Sequence, residues 1–144
     1  MKAFLKYLTL FLIGGALYYS LEVIFRGYSF LAMAGCGGVC FLICGAINEK
    51  SRCTPLFYQM VVATCGITAI EFFAGLVLNV WLGLNMWDDS NMLGNVLGQI
   101  CPQFTVLWFF LSAVGIVMDD LIRWIFFGEE KPHYHLFRKK KGDK

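Results

Sequence analysis

Residues 66–83 read GITAIEFFAGLVLNVWLG, an apolar run whose single charged side chain is Glu71. Extended back to Leu56 and ending at Leu82, it exceeds the roughly 20 residues a helix needs to cross a bilayer core. A carboxylate at the centre of a bilayer costs about 2.5–3.5 kcal/mol on insertion scales, so it faces protein or a water-filled cavity. The run therefore marks both a membrane span and a place where chemistry is held.

Three further apolar stretches accompany it: Phe4–Phe25, Ser29–Ile47 and Phe104–Phe127. The first carries a second intramembrane acid, Glu22, within YYSLEVIF. It is too long for a signal peptide, and no A-x-A cleavage site follows it, so it reads as a retained helix. Of 144 residues, 58% are hydrophobic and 15% charged, against about 25% charged in a soluble domain. The expected fold is an all-α integral membrane protein of four transmembrane helices. Residues 1–128 form the membrane domain and 129–144 a basic cytoplasmic tail.

Orientation follows from the basic residues. Lys2, Lys6, Lys50, Arg52, Arg123, Lys131, Arg138, Lys139, Lys140, Lys141 and Lys144 all fall on one side of four spans, and only Arg26 on the other. Both termini are expected in the cytoplasm of a bacterial cell, with the chain in its inner membrane. Cys36, Cys40 and Cys44 recur at i, i+4 and i+8 beside Gly37 and Gly38, a face of small side chains suited to close helix packing. His133-x-His135 stands apart from any cysteine, so neither a metal nor another cofactor is expected. No P-loop or dinucleotide fingerprint occurs, and nucleic acid is not an expected partner.

Between the third and fourth spans lie about 20 residues, Gly83–Gln103. Structureless loops of that length are uncommon unless functional. Asp89 or Ser90 can cap a helix beginning near Asn91, which would set Met92, Val96 and Ile100 on one face and Asn95 and Gln99 on another. The spacing predicts a short re-entrant or interfacial helix over the outer end of the bundle.

Helix rise places Glu22 and Glu71 in the outer half, where Asp88 and Asp89 join them. Glu22 and Arg26 stand at i, i+4, the spacing of a local ion pair; Asp119 or Asp120 with Arg123 repeats it near the inner surface. Glu71 has no cation within four residues. Its expected partner is Arg26, for which Glu22 would compete. Thr68, Gly75 and Asn79 share the Glu71 face. The candidate ligand-binding residues are Glu22, Arg26, Glu71, Asn79, Trp87, Asp88, Ser90, Asn95 and Gln99.

Several motifs together resemble one family. Glu71 in the third span is followed by Trp87-Asp88-x-Ser90, by Asn95, Gly98 and Ile100, and by Trp108-Phe109 in an aromatic-rich fourth span. The first span ends in Glu22-Val23-x-Phe25-Arg26-Gly27, the second in Gly45-x-Ile47-Asn48-Glu49. This pattern resembles the CmpB-like "putative ABC-transporter type IV" membrane proteins, which are related to a vertebrate orphan transmembrane family. Asp89 and Met92 stand where that pattern more usually has tyrosine and proline. The resemblance implies the four-span fold and transport. The leading function is thus a small transporter or permease component, with a small-molecule or ion ligand. Four spans barely enclose a pathway, so a homodimer or a larger transporter complex in the lipid bilayer is expected. Two alternatives stand beside it: a membrane-embedded enzyme acting on a lipid or headgroup through two carboxylates, and a non-catalytic sensor or assembly subunit.

Overall fold

The computed structural model describes residues 2–50 and 54–137. Helix α1 spans Lys2–Arg26, α2 Leu31–Lys50, α3 Leu56–Gly75 and α4 Pro102–Phe127. Helix α3 continues without a break into a π-helical turn, Leu76–Trp81. All four helices, α3 together with its π turn, are long and apolar enough to cross a membrane. No strand occurs among the described residues; Val96 and Ile100 form one isolated bridge. Many large apolar side chains point outward, including Phe4, Leu12, Phe25, Phe73, Phe110 and Phe126. That arrangement is sustainable where lipid replaces water around the bundle.

Helices α1 and α2 form a hairpin through Gly27, whose φ of 81° suits glycine. Their backbones approach closely. A Cβ on Gly15 would lie 2.6 Å from the Ala34 carbonyl oxygen, and one on Gly38 2.6 Å from that of Phe11. Glycines therefore carry this contact, as small residues do where lipid-embedded helices meet. The cysteine face turns elsewhere. Cys44 joins Met60, Ala63, Ile67 and Ile116 in a core shared by α2, α3 and α4, and Cys36, Cys40 and Cys44 all border a cavity described below.

The bundle has two distinct ends. At the terminal end, α4 stops at Gly128 in the left-handed conformation, and the chain doubles back. The carbonyls of His135 and Leu136 accept the Leu56 and Phe57 amides at 2.8 and 3.3 Å. Those amides belong to the first turn of α3, where no intrahelical acceptor exists. Phe137 packs on Phe57 with ring centroids 5.8 Å apart. Residues 129–137 are thus fastened to the membrane domain. The basic cluster Arg138–Lys141 with Lys144, and also Arg52 and Cys53, lie outside the described residues.

At the opposite end, residues 82–101 correct the expectation of a short helix: they form turns and contain no helix. Gly94, Leu97 and Gly98 take φ of 75°, 52° and 66°, which a right-handed helix cannot accommodate. The Asn95 side chain donates to the carbonyls of Ser90 and Met92 and accepts the Gly98 amide. Such local side-chain bonds compete directly with helical ones. The segment nevertheless packs on the bundle: Met86, Asp89, Gln99 and Cys101 are buried. Pro102 then opens α4 at its first position, where a missing N–H is harmless.

Candidate functional site

A cavity of about 150 Å³ lies between the four helices, reaching from Trp87 at the loop end to Cys44 and Met118 past the middle of the bundle. Its wall includes Tyr18 and Leu21 of α1, Cys36 and Cys40 of α2, Ile67, Ile70, Glu71 and Ala74 of α3, Trp87 of the loop, and Trp108 of α4. Glu71 is the one charged residue lining it. Its Oε2 accepts a hydrogen bond from the Trp108 indole Nε1 at 2.9 Å. The Trp108 ring meets Tyr18 at a centroid separation of 6.0 Å. Sharing between Glu71 and Glu22 of the Arg26 guanidinium, expected from the sequence, is corrected here. Arg26 is engaged elsewhere, and a neutral N–H donor from another helix serves Glu71.

Arg26 ties α1 to the loop. Nη1 donates to Glu22 Oε1 at 2.5 Å, and Nη2 to the Met86 carbonyl at 2.8 Å. The Ser29 hydroxyl donates to the other Glu22 oxygen at 2.5 Å. Glu22 is buried and satisfied on both oxygens. The loop's inner face is held by Asn79, which sits in the π turn. Its amide donates to the Trp87 carbonyl and to Gln99 Oε1, each at 3.0 Å, and its carbonyl oxygen accepts the Met86 amide at 2.7 Å. Trp87 Nε1 donates to the Gln99 carbonyl at 2.9 Å. Gln99 fits only because residue 75 is glycine, for a Cβ there would meet the Gln99 side chain. π turns recur at functional positions in helices; this one delivers Asn79 to three loop groups.

Asp88 is exposed and accepts both the Ser90 amide and hydroxyl. Those bonds hold its carboxyl below the ordinary value. Asp89 is buried, and burial pushes its carboxyl up, offset in part by a hydrogen bond with Cys101. Of the nine residues singled out from the sequence, Glu71 and Trp87 line the cavity. Glu22, Arg26, Asn79 and Gln99 fasten the loop above it. Asp88, Ser90 and Asn95 shape the loop itself.

Two parts of the site escape the sequence reading. Tyr18 and Trp108 join Glu71 only through tertiary packing, although Trp108 belongs to the family-like aromatic pattern. The terminal end holds a polar cluster. Arg123, 3% exposed, pairs with fully buried Asp119 at 2.5 Å and with Glu49 at 3.2 Å. Lys6 bridges Glu49 and Glu129 at 3.1 and 2.8 Å. Asn48 and Tyr134 both donate to Asp120 Oδ2 at 2.6 Å. Burial, together with that bond to Asp120, raises the Tyr134 hydroxyl above its ordinary value. The i, i+4 spacing of Asp119 and Arg123 was the visible signal; the contributions of Lys6 and Glu49 were not visible.

Residues 9–126 match a family model described as "Putative ABC-transporter type IV". No curated protein matches the chain, and no solved structure does.

Proposed function

Because the chain belongs to the family described as "Putative ABC-transporter type IV" and carries four helices long and apolar enough to cross a membrane, we propose that it is the membrane component of a small-molecule transporter. Both termini face the cytoplasm of a bacterial cell, by the basic-residue asymmetry. The Glu71 cavity is then the ligand site, with its acid in the outer half of the bundle, and the loop of residues 82–101 is its cover. The observation that carries this reading is Glu71 itself. It is a carboxylate kept inside an apolar cavity, with one hydrogen-bond donor and no ion pair among the described residues. Retaining such a group in a membrane is costly, and its interhelical bond to Trp108 leaves the second carboxylate oxygen free among the described residues. Glu22, in contrast, is fully engaged by Arg26 and Ser29. One carboxylate in the cavity, where an acid–base pair would need two, favours ligand binding over hydrolysis of a lipid. Four spans barely enclose a pathway, which favours a second copy or a larger complex.

The test uses vesicles from cells making either the wild type or Glu71→Gln. Accumulation of labelled small amines, carboxylates and sugars is followed in both. Flux of one class that depends on the wild type and is lost in the variant, with the variant still inserted, supports the site. Equal flux with both chains removes Glu71 from transport.

A further inference from the structure

We infer that the Glu71 cavity selects an organic ammonium ion carrying an apolar body about the size of a benzene ring. The inference rests on the cavity being a ligand site, and it adds the chemistry of the occupant.

Charge comes first. Glu71 is the one charged group in the wall, and no described cation pairs with it. Arg26 is spent on Glu22 and Met86, while Lys6 and Arg123 serve the acids at the other end. Trp108 satisfies Oε2; among the described residues Oε1 has no hydrogen-bond donor. The site thus presents a free acceptor atom on an acid that no described cation compensates. In surroundings of low dielectric an opposite charge a few ångströms away is attracted far more strongly than in water. An anion would be repelled by the carboxylate, and a neutral guest would leave the acid to hold its own proton; a cation alone gains by pairing with its ionised form.

The walls then restrict which cation fits. A dehydrated metal ion needs several hard oxygen ligands, six or more for calcium and magnesium. One carboxylate among Leu21, Cys36, Ile67, Ile70 and Ala74 does not supply them. An ammonium needs less: one acceptor for an N–H, and aromatic faces. Tyr18, Trp87 and Trp108 all border the cavity, and cations held over such rings gain about 0.5–2 kcal/mol. The remaining wall is apolar and suits a hydrocarbon body. At about 150 Å³, the space resembles apolar protein cavities that accommodate benzene. The carboxylate and the apolar wall therefore recognise the two ends of one amphiphilic amine.

Three probes sharing one aromatic body separate the terms: phenethylammonium, 2-phenylethanol and phenylacetate. Binding to the purified full-length chain in lipid nanodiscs is measured by calorimetry, with empty nanodiscs subtracted. The expected order is phenethylammonium tightest, by about tenfold or more over 2-phenylethanol, and phenylacetate weakest. That factor corresponds to about 1.4 kcal/mol. Glu71→Gln keeps an oxygen for the Trp108 indole while removing the charge. It should abolish the ammonium preference. Cys40→Phe, which fills the cavity, should weaken both. Should Glu71→Gln fail to fold, the wild-type ranking against Cys40→Phe still decides. If the ammonium and the alcohol bind equally and Cys40→Phe blocks both, the cavity binds ligands without selecting cations; this inference fails and the site survives. If no probe binds, or Cys40→Phe changes nothing, the ligand-site reading falls as well.

Discussion

Arg26 and Met86 stand 60 residues apart, and a 2.8 Å hydrogen bond from the guanidinium to the Met86 carbonyl joins them. The same guanidinium holds Glu22. One side chain therefore neutralises a buried acid and fastens the loop to α1. Arg26→Gln should lose both functions. Hydrogen bonds to charged groups are worth about 1.5–3 kcal/mol, so the loss falls in that range. Residues 84–101 should exchange amide protons faster in the variant while the helical core of α3 stays protected. Uniform protection in wild type and variant would show that Arg26 does not hold the loop.

A methyl group on residue 75 and the Gln99 side chain compete for one space. Gly75→Ala should lower thermal stability, whereas Gly75→Ala with Gln99→Ala should recover part of the loss. Contacting residues of this kind couple by about 0.5–3 kcal/mol in double-mutant cycles. Strict additivity of the two changes would mean that Gln99 does not occupy that position.

Breaking the Asp119–Arg123 pair should be among the most damaging single changes. Both side chains are buried, and removal of one partner from a buried pair costs about 3–5 kcal/mol. Arg123→Leu should therefore destabilise more than Arg123→Leu combined with Asp119→Leu. Melting of the two purified variants in matched detergent compares them directly.

The two loop aspartates respond to pH with opposite signs. The carboxyl of Asp89 is raised by burial above its ordinary 3.8, so the folded loop keeps this proton where the unfolded chain has lost it. Its contribution to stability is complete below 3.8 and lost as pH rises through the raised value. Asp88 is lowered by Ser90; its contribution is present above 3.8 and lost as pH falls through the lowered value. Asp89→Asn should remove the decline on the alkaline side and leave the Asp88 limb at low pH. Amide exchange of residues 84–101, followed across pH, reads the loop.

Orientation can be checked independently of ligand. On a background without native cysteines, Asp88→Cys should react with an impermeant reagent added outside intact cells, and Lys131→Cys should not. Both positions are exposed. The reverse pattern would turn the Glu71 cavity toward the cytoplasm.

The helices were legible because lipid demands long apolar runs, and local ion pairs were legible because i, i+4 spacing brings Glu22 to Arg26 and Asp119 to Arg123. The loop was misread for a definite reason. Met92, Val96 and Ile100 have helical spacing, yet Gly94 and Gly98 fall between them at positive φ, as does Leu97. The glycine pair in GNVLG was the better signal than the apolar spacing. A membrane carboxylate points to a cation as its partner, and Glu71 has none among the described residues. Trp108 supplies a neutral donor from another helix, and sequence spacing says nothing of such a meeting. Asn79 shares a helix face with Glu71 in the sequence, but the π turn that carries it to Trp87 and Gln99 leaves no mark in LVLNVW.

The bond between Trp108 and Glu71 also bears on how the chain is made. A nascent membrane protein enters the bilayer in the order of synthesis, and the two partners are 37 residues apart. Glu22 reaches the membrane with Arg26 on its own helix and meets Ser29 soon after. Glu71 arrives with α3 while α4 is still unmade, and at mid-bilayer it would cost roughly 2.5–3.5 kcal/mol unsatisfied. Until Trp108 emerges, α3 is a reluctant insert that needs the translocation machinery or the α1–α2 hairpin to shelter its acid. A chain cut between Trp81 and Pro102 should therefore integrate α3 less efficiently than the full chain, and Glu71→Leu should restore integration to the cut chain.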